Sequence, residues 1–382
     1  MSSGRNSKPD KPYQVCTRCV MDTSDPDIVF DENGVCNHCT NFIERLQSRG
    51  YVKGESEAQW QQYVDVIKEQ EKGKAYDCIV GISGGVDSCY VAYLCKHYGL
   101  RALLVHMDNG WDTEIAVNNI KAVARALDLD YISYVLDWEE FKNIQLAYLK
   151  SSSVDLEMTT DVAILASIYE TAAKYDIRYI ISGGNLSSEG ILPLQWGYHR
   201  YKDMKMYNYI VNKYSNTRIK KVPTIGLLKE SYYRFFKKMK TLYILNYIDY
   251  DKDAAKKHLM EHLNWKDYGG KHHESKITAF WQGYVMNAKY NMDYRRSTYA
   301  SQICLGQISR EEALEKLEEK PFDDAKIQDD KKYIAKKYGI SLEELDGYLK
   351  LPPKTFVDFP NNKKLVDFCY GIYNKYFNSK RV

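Results

Sequence analysis

The chain has 382 residues, 44% of them hydrophobic and 27% charged, with a formal net charge of +3. That length suffices for two or three domains with a sizeable core, and the near-balanced charge excludes a polybasic nucleic-acid coat. No apolar run reaches membrane-spanning length, and Met1 to Asp10 lacks the apolar stretch of a secretion signal, so a cytoplasmic protein without a membrane partner is expected.

The first pattern in chain order is Cys16-Thr-Arg-Cys19 followed, sixteen residues later, by Cys36-Asn-His-Cys39. Two facing C-x2-C knuckles supply the four thiolates that tetrahedral Zn²⁺ prefers. The stretch between them, through Asn33-Gly34, reads as strand, turn and strand, giving a zinc ribbon over residues 1–50. Two disulfides, disfavoured in a reducing compartment, and an iron–sulfur cluster are the alternatives. Filling all four positions with protein thiols makes the site structural, and His38 stands outside it. Residues 51–75 carry apolar residues at helical spacing (Trp60, Tyr63, Val64, Ile67) and read as a helical linker.

From Tyr76 the pattern alternates strand and helix. Strands are expected at Cys78–Ile82, Ala102–Met107, Tyr131–Leu136 and Arg178–Ser182, and helices at Val86–Tyr98, Glu114–Leu127, Trp138–Leu149 and Thr160–Tyr175. This is the signature of an α/β doubly wound parallel sheet, whose ligands gather at the carboxyl ends of the strands. A domain spanning residues 76–202 follows.

At the first such end stands Ser83-Gly84-Gly85-Val86-Asp87-Ser88. A Gly-rich turn feeding a helix presents free backbone N–H groups and the positive end of the helix dipole to an anion. The serines add hydroxyls, and Asp87 offers a carboxylate for Mg²⁺. The pattern is not the Walker loop, which ends in Gly-Lys-Ser/Thr. It resembles the SGGxDS loop of the PP-loop ATP pyrophosphatases. That resemblance implies cleavage of ATP to AMP and pyrophosphate as a carbonyl-type oxygen is adenylated. It also implies adenine at the ends of the first two strands, near Gly81, Ile82, Met107 and Asp108. For Asp108 a turn-holding role is an equal alternative. After the fourth strand, Gly183, Gly184 and Asn185 match the family's second Gly-rich loop. Glu189 matches the acidic residue that shares Mg²⁺ with the loop aspartate.

Residues 203–382 lose the alternation and read as a mainly helical substrate or partner domain. Its expected helices include Tyr232–Tyr247, Lys252–Leu263, Thr278–Tyr290, Arg310–Glu319, Lys331–Lys337, Ser341–Leu349 and Lys363–Phe377. Ser309 and the Ser341/Glu344 pair are cap signals. Basic residues concentrate between Arg200 and Lys257, as solvated helix faces or as a surface for a phosphorylated substrate. After the Gly269-Gly270 turn come Lys271, His272, His273 and Glu274, followed by Arg295 and Arg296. These are candidates for substrate binding or acid/base work, with surface decoration equally open for the Lys-His-His-Glu segment. Thr159-Thr160-Asp161 reads as a helix cap, and Cys89, Cys95, Cys304 and Cys369 as isolated core residues.

Together, the Cys-Thr-Arg-Cys-Val-Met-Asp-Thr-Ser-Asp-Pro-Asp-Ile opening, both loops, Gly-Gly-Lys-His and Gly-Gln-Ile-Ser-Arg-Glu-Glu-Ala resemble the N-acetyl sugar amidotransferase family. That family serves bacterial surface-polysaccharide and flagellin-glycan biosynthesis. The resemblance implies conversion of an acetamido group on a nucleotide sugar into an acetamidino group through an O-adenylyl imidate, with ATP, Mg²⁺ and Zn²⁺. It also implies ammonia from a separate glutaminase subunit, through a barrel-like channelling partner similar to half of the histidine-pathway synthase. Nothing in the chain resembles a glutaminase. The competing readings are a tRNA thiouridine synthetase, which would bind nucleic acid, and a non-enzymatic nucleotide sensor.

Overall fold

The computed structural model describes residues 12–48, 56–197, 203–216, 218–269 and 274–377. Its centre is a five-stranded parallel sheet in the order β3-β2-β1-β4-β5. The strands are β1 (Cys78–Gly81), β2 (Ala102–Asp108), β3 (Tyr131–Val135), β4 (Tyr179–Ile181) and β5 (Lys240–Leu242). β1 pairs with β2 from Cys78 opposite Ala102, and with β4 from Ile79 opposite Ile180.

Both faces of the sheet are buried, so its strands read as continuous apolar runs. Period-two alternation still sorts their side chains. Cys78, Val80, Leu104 and Ile181 pack on one face against α2 (Glu57–Gln70), α3 (Val86–His97) and α4 (Glu114–Leu127). Ile79, Leu103, Val105 and Ile180 pack on the other, against Ala166, Tyr169 and Ala172 of α6 (Met158–Lys174). Local signals set the helix ends. Thr113 caps α4 by accepting from Ala116 N–H, and Asp137 caps α5 (Trp138–Ser151) by accepting from Glu140 N–H.

The N-terminal knuckles, with α1 (Asn37–Ser48), share a third core with α5 and the C-terminal helices. Between the knuckles, the expected strand pair contracts to single antiparallel bridges, Val15 with Asp22 and Phe30 with Cys36. Gly34, at φ +77°, makes the turn.

Beyond β4 lie α7 (Leu186–Glu189), α8 (Met204–Tyr214) and α9 (Leu227–Ser231). The expected Tyr232–Tyr247 helix is corrected by the structure. A π-helical turn at Tyr232–Phe236 ends α9, and the chain then extends into β5, whose pairing with β4 replaces helix hydrogen bonds. The sheet thus takes its edge strand from beyond residue 202. There follow α10 (Lys252–His262), α11 (Lys276–Ala279), a π-helical turn at Phe280–Val285, α12 (Met286–Tyr290) and α13 (Tyr294–Cys304). The chain continues through α14 (Arg310–Glu318), α15 (Asp324–Tyr338), α16 (Leu342–Lys350) and α17 (Lys363–Phe377). Ser309 caps α14, and Ser341 and Glu344 close a capping box on α16. No helix among the described residues is long and apolar enough to cross a membrane.

Candidate active site

The Ser83–Ser88 segment turns from the end of β1 into the start of α3. Ser88, one turn inside the helix, holds the loop from within. Its Oγ accepts from Ser83 N–H at 3.1 Å and donates to the Gly85 carbonyl at 3.2 Å. Ser83 Oγ in turn accepts from Gly85 N–H at 3.3 Å. Gly84 sits at φ +82°, and a Cβ there would fall 2.4 Å from the Ala116 carbonyl oxygen. Only glycine meets both conditions. Val86 and Asp87 open a 12-residue helix whose dipole points at this turn.

The second loop lies against the first. A Cβ on Gly183 would touch the Asp87 carbonyl carbon and the Ser88 nitrogen at 3.4 Å. Asn185 caps α7 by accepting from Ser188 N–H at 2.9 Å, and its Nδ2 donates to the Gly183 carbonyl at 3.1 Å. This fold of the loop brings Glu189 Oε2 to 3.3 Å from the position of a Gly184 Cβ. Asp87 accepts a hydrogen bond from Tyr250 on one carboxylate oxygen, and Lys252 Nζ stands 3.7 Å from the other. The two carboxylates are hard oxygen donors on touching loops, a donor set that suits Mg²⁺.

Beside the loops lies a cavity of about 480 Å³, at the carboxyl ends of β1, β2 and β4. Its volume is in the range of small-ligand sites. One part is apolar, with Val105 and Met107 facing Ile164, Leu165 and Ile168 of α6. Ile168 Cδ1 would lie 2.8 Å from a Cβ at Gly81, so the glycine admits that side chain. The other part is acidic: Asp112, Glu157, Asp161, Glu189, Glu230 and Glu274 line it. Both π-helical turns reach the wall, through Arg234 and Gln282, a recurring place for such turns.

Burial of the His106 ring works against its charged form. Asp112 Oδ2 at 3.3 Å, with the Ile82 carbonyl accepting from Nδ1 at 3.1 Å, outweighs that and holds its pKa above the usual value. Glu157 has no cation beside it among the described residues. Burial, reinforced by the charges of Asp155 and Glu274 and opposed by a hydrogen bond from Thr278 Oγ1 at 3.1 Å, pushes its pKa up to about 7.

Several sequence candidates fall elsewhere. Asp108 accepts from Gly110 N–H at 2.8 Å and holds the turn after β2; it does not line the cavity. Arg295 is taken up by Asp293 at 2.7 Å and by the Lys316 carbonyl. Arg296 donates to the Val20 carbonyl at 2.7 Å and pairs with Asp22 at 3.1 Å. Both arginines are engaged in bracing contacts and do not line the cavity, although Tyr294 beside them does, because α13 packs on the N-terminal knuckles as well as on α7. Lys271, His272 and His273 lie outside the described residues. Glu274 reaches the site: its Oε1 and the Tyr268 hydroxyl stand 3.3 and 3.2 Å from the position of a Gly85 Cβ. Thr160 is not a cap, because α6 begins before it, at Met158.

Residue patterns did not single out His106, Asp112, Glu157, Tyr250, Tyr268 or Thr278. Asp112 had one usable signal, its place just after a strand end. Glu157 had another, an acidic residue just before the helix that leads into β4.

The cysteine centre is separate. Cys16, Cys19, Cys36 and Cys39 are fully buried, and their sulfurs all lie within 4.8 Å of one another. Cys16–Cys39 and Cys19–Cys36 stand 4.0 and 3.8 Å apart. A zinc tetrahedron with bonds of about 2.3 Å has edges of about 3.8 Å, so the donor set fits that ion. Backbone N–H groups of Cys19 and Cys36 point at Cys16 Sγ, at 3.4 and 3.2 Å. His38 is turned to Asp25 instead, at 2.5 Å. Cys304, read as an isolated core residue, stands 3.7 Å from Cys39 Sγ, where α13 crosses the knuckle.

Residues 274–374 match the family described as "LPS biosynthesis protein WbpG-like, C-terminal domain", and residues 59–173 match NAD synthase. Among solved structures, the chain is similar to the NH3-dependent NAD synthetase from Campylobacter jejuni subsp. jejuni NCTC 11168, solved with the nitrate ion. Identity there is 20% over 39% of this chain and 58% of that one, with a TM-score of 0.26. The predicted subunit of tRNA methyltransferase from Methanocaldococcus jannaschii DSM gives 13%, 48%, 76% and 0.29 for the same quantities. NMN synthetase from Francisella tularensis gives 11%, 85%, 96% and 0.30. No curated protein matches the chain. In this chain a segment similar to NAD synthase is thus followed by one similar to the C-terminal domain of WbpG-like lipopolysaccharide biosynthesis proteins.

Proposed function

We propose that this protein is a cytoplasmic ATP-dependent amidotransferase that converts an acetamido group of a nucleotide-activated sugar into an acetamidino group. The observation that carries this reading is the seating of Gly183 on the Asp87 backbone, which joins two Gly-rich loops at the head of α3 beside an acid-lined cavity. The lipopolysaccharide context of the C-terminal match supports a sugar substrate.

ATP would lie with its base in the apolar slot formed by Met107, Ile164 and Ile168. Its phosphates would meet the backbone N–H groups that open α3. The sugar's amide oxygen attacks the α-phosphorus, giving an O-adenylyl imidate and expelling pyrophosphate. Ser83 to Ser88 hold the leaving group through N–H groups and hydroxyls, a preorganised set that stabilises charge as it develops. Mg²⁺, held by Asp87 and Glu189, would supply charge neutralisation to the departing pyrophosphate. Ammonia then displaces AMP. Adenylation is needed because oxygen of an unactivated amide is a very poor leaving group.

Ammonia reaches the site from solution or from a glutaminase subunit with a channelling partner, since the chain has no glutaminase motif of its own. The cysteine centre, loaded with Zn²⁺, braces α13 and α14 and takes no part in the chemistry.

The test uses the full chain with ATP, Mg²⁺, ammonium and a panel of UDP- and CMP-linked acetamido sugars, followed by mass spectrometry. The expected outcome is AMP, pyrophosphate and one sugar lighter by one mass unit, as NH replaces oxygen. ATP left intact with every sugar overturns the proposal. Glutamine alone should not replace ammonium.

A further inference from the structure

The reaction proposed above needs a base as well as a phosphate cradle. The O-adenylyl imidate carries its amide proton and is a cation. Ammonia adds to it as a neutral nucleophile, and the nitrogen becomes positively charged. The amidine product is protonated at neutral pH. The imidate, its ammonia adduct and the amidine product therefore each carry one positive charge on or beside the reacting carbon, and one proton must leave the adduct before AMP does.

The cavity suits such charge. The two basic side chains among the described residues that line it each face an acid: His106 meets Asp112 at 3.3 Å, and Arg234 meets Glu230 at 2.8 Å. Among the described residues Glu157 faces no cation. Its hydrogen-bond partner among the described residues is Thr278 Oγ1, on α11. Its other charged or titratable neighbours among the described residues include Asp155, Glu274, Tyr294 and Tyr338. None of these donates positive charge. The backbone ahead of Glu157 is pinned: Val154 N–H donates to the Lys354 carbonyl at 2.9 Å, and Trp281 Nε1 donates to the Val154 carbonyl at 2.8 Å. The carboxylate is thus held on the cavity wall, and pyrophosphate release makes no use of it.

Resting on the amidotransferase reading, we propose that Glu157 is the catalytic base of the ammonia step. A bond forms between the ammonia nitrogen and the imidate carbon, giving a tetrahedral adduct that bears an NH3⁺ group. Glu157 takes one proton from that nitrogen. The carbon–oxygen bond to AMP then breaks, its electron pair leaving on the AMP oxygen, and the amidinium product keeps one positive charge. The proton on Glu157 returns to solvent before the next turnover. A carboxyl that titrates near 7 is matched to this task, half-ionised at working pH and basic enough to accept.

The experiment compares wild type with Glu157→Gln, which keeps an acceptor for Thr278. The sugar used is the one that passes the mass test above, and rapid quench separates pyrophosphate release from amidine formation. The expected result is a pyrophosphate burst at the wild-type rate and amidine formation slowed by about 10²-fold. The wild-type ammonia step should rise with pH through a limb near 7, and the variant should lack that limb. Hydroxylamine, a far less basic nucleophile whose adduct sheds its proton to water, should restore the variant to near the wild-type rate. An unchanged ammonia step with an intact pH limb overturns the assignment alone. Equal loss with ammonia and hydroxylamine also overturns it, marking Glu157 as a packing residue. No pyrophosphate from wild type with any sugar overturns the amidotransferase reading and this inference together.

Discussion

Trp265 donates its indole N–H to the backbone carbonyl of Gly84 at 2.9 Å, across 181 residues of chain. The ring is buried, and the next residue is tied as well: Lys266 N–H donates to Asn119 Oδ1, and Asn119 Nδ2 donates to the Lys266 carbonyl, both at 2.8 Å. The Ser83–Ser88 turn is therefore braced from behind by the helical half of the chain. Trp265→Phe keeps most of the packing and removes the donor. It should cost about 1–2 kcal/mol, the usual price of a lost buried hydrogen bond, measured by urea denaturation.

Gly84→Ala should be worse. It puts a side chain at a positive φ and drives Cβ into the Ala116 carbonyl. The strain and the forced backbone shift together should exceed about 2 kcal/mol. The same variant should lose ATP-dependent pyrophosphate release, because the loop cannot shift without misaiming its N–H groups. Wild-type stability and turnover would show that the turn has slack.

Asp87→Asn keeps an oxygen for the Tyr250 hydroxyl and removes the charge. Pyrophosphate release should fall by at least about 10²-fold, with an unchanged circular dichroism spectrum. Tyr250→Phe is the matching control. It frees the carboxylate while leaving its charge, so activity should survive it.

Arg310 reaches across 294 residues to the knuckle, its guanidinium donating to the Cys16 carbonyl at 3.0 Å and to the Cys19 carbonyl at 3.1 Å. Zinc removal by a chelator, or Cys36→Ser, should release this brace and lower Tm, with zinc content falling in step. Arg310→Met should keep zinc and cost about 1.5–3 kcal/mol for the charge-assisted bonds. Full zinc in Cys36→Ser would exclude the four-thiolate site.

Glu157 also links stability to pH. Its folded pKa of about 7 lies above the ordinary 4.5, so between those values the folded chain holds a proton that the unfolded chain has released. The contribution is whole below pH 4.5, shrinks as pH rises and is gone once pH passes about 7. The loss is on the order of 3 kcal/mol. Glu157→Gln does not titrate, so it should gain stability relative to wild type between pH 5 and pH 8. Urea unfolding at the two pH values checks this; a constant difference would mean that Glu157 titrates normally.

What the sequence by itself determined was local. The Cys-x2-Cys pairs, the Ser83–Ser88 turn and the Gly183–Glu189 loop each complete their signal within a few residues, and neighbouring apolar periodicity says which element carries them. Caps at Ser309 and Ser341 were readable for the same reason. What only the tertiary structure decided was which side chains share a space. Glu157 and His106 meet the cavity because parallel strands bring distant loops to one edge of the sheet. Arg295 and Arg296 were candidate substrate ligands beyond the Lys-His-His-Glu segment, yet α13 turns them to Asp293 and to the knuckle. Tyr232–Tyr247 has helical spacing, yet it yields β5, because pairing with β4 satisfies its backbone. Most such outcomes depend on hydrogen bonds and burial between residues from tens to nearly three hundred positions apart, which no local pattern encodes.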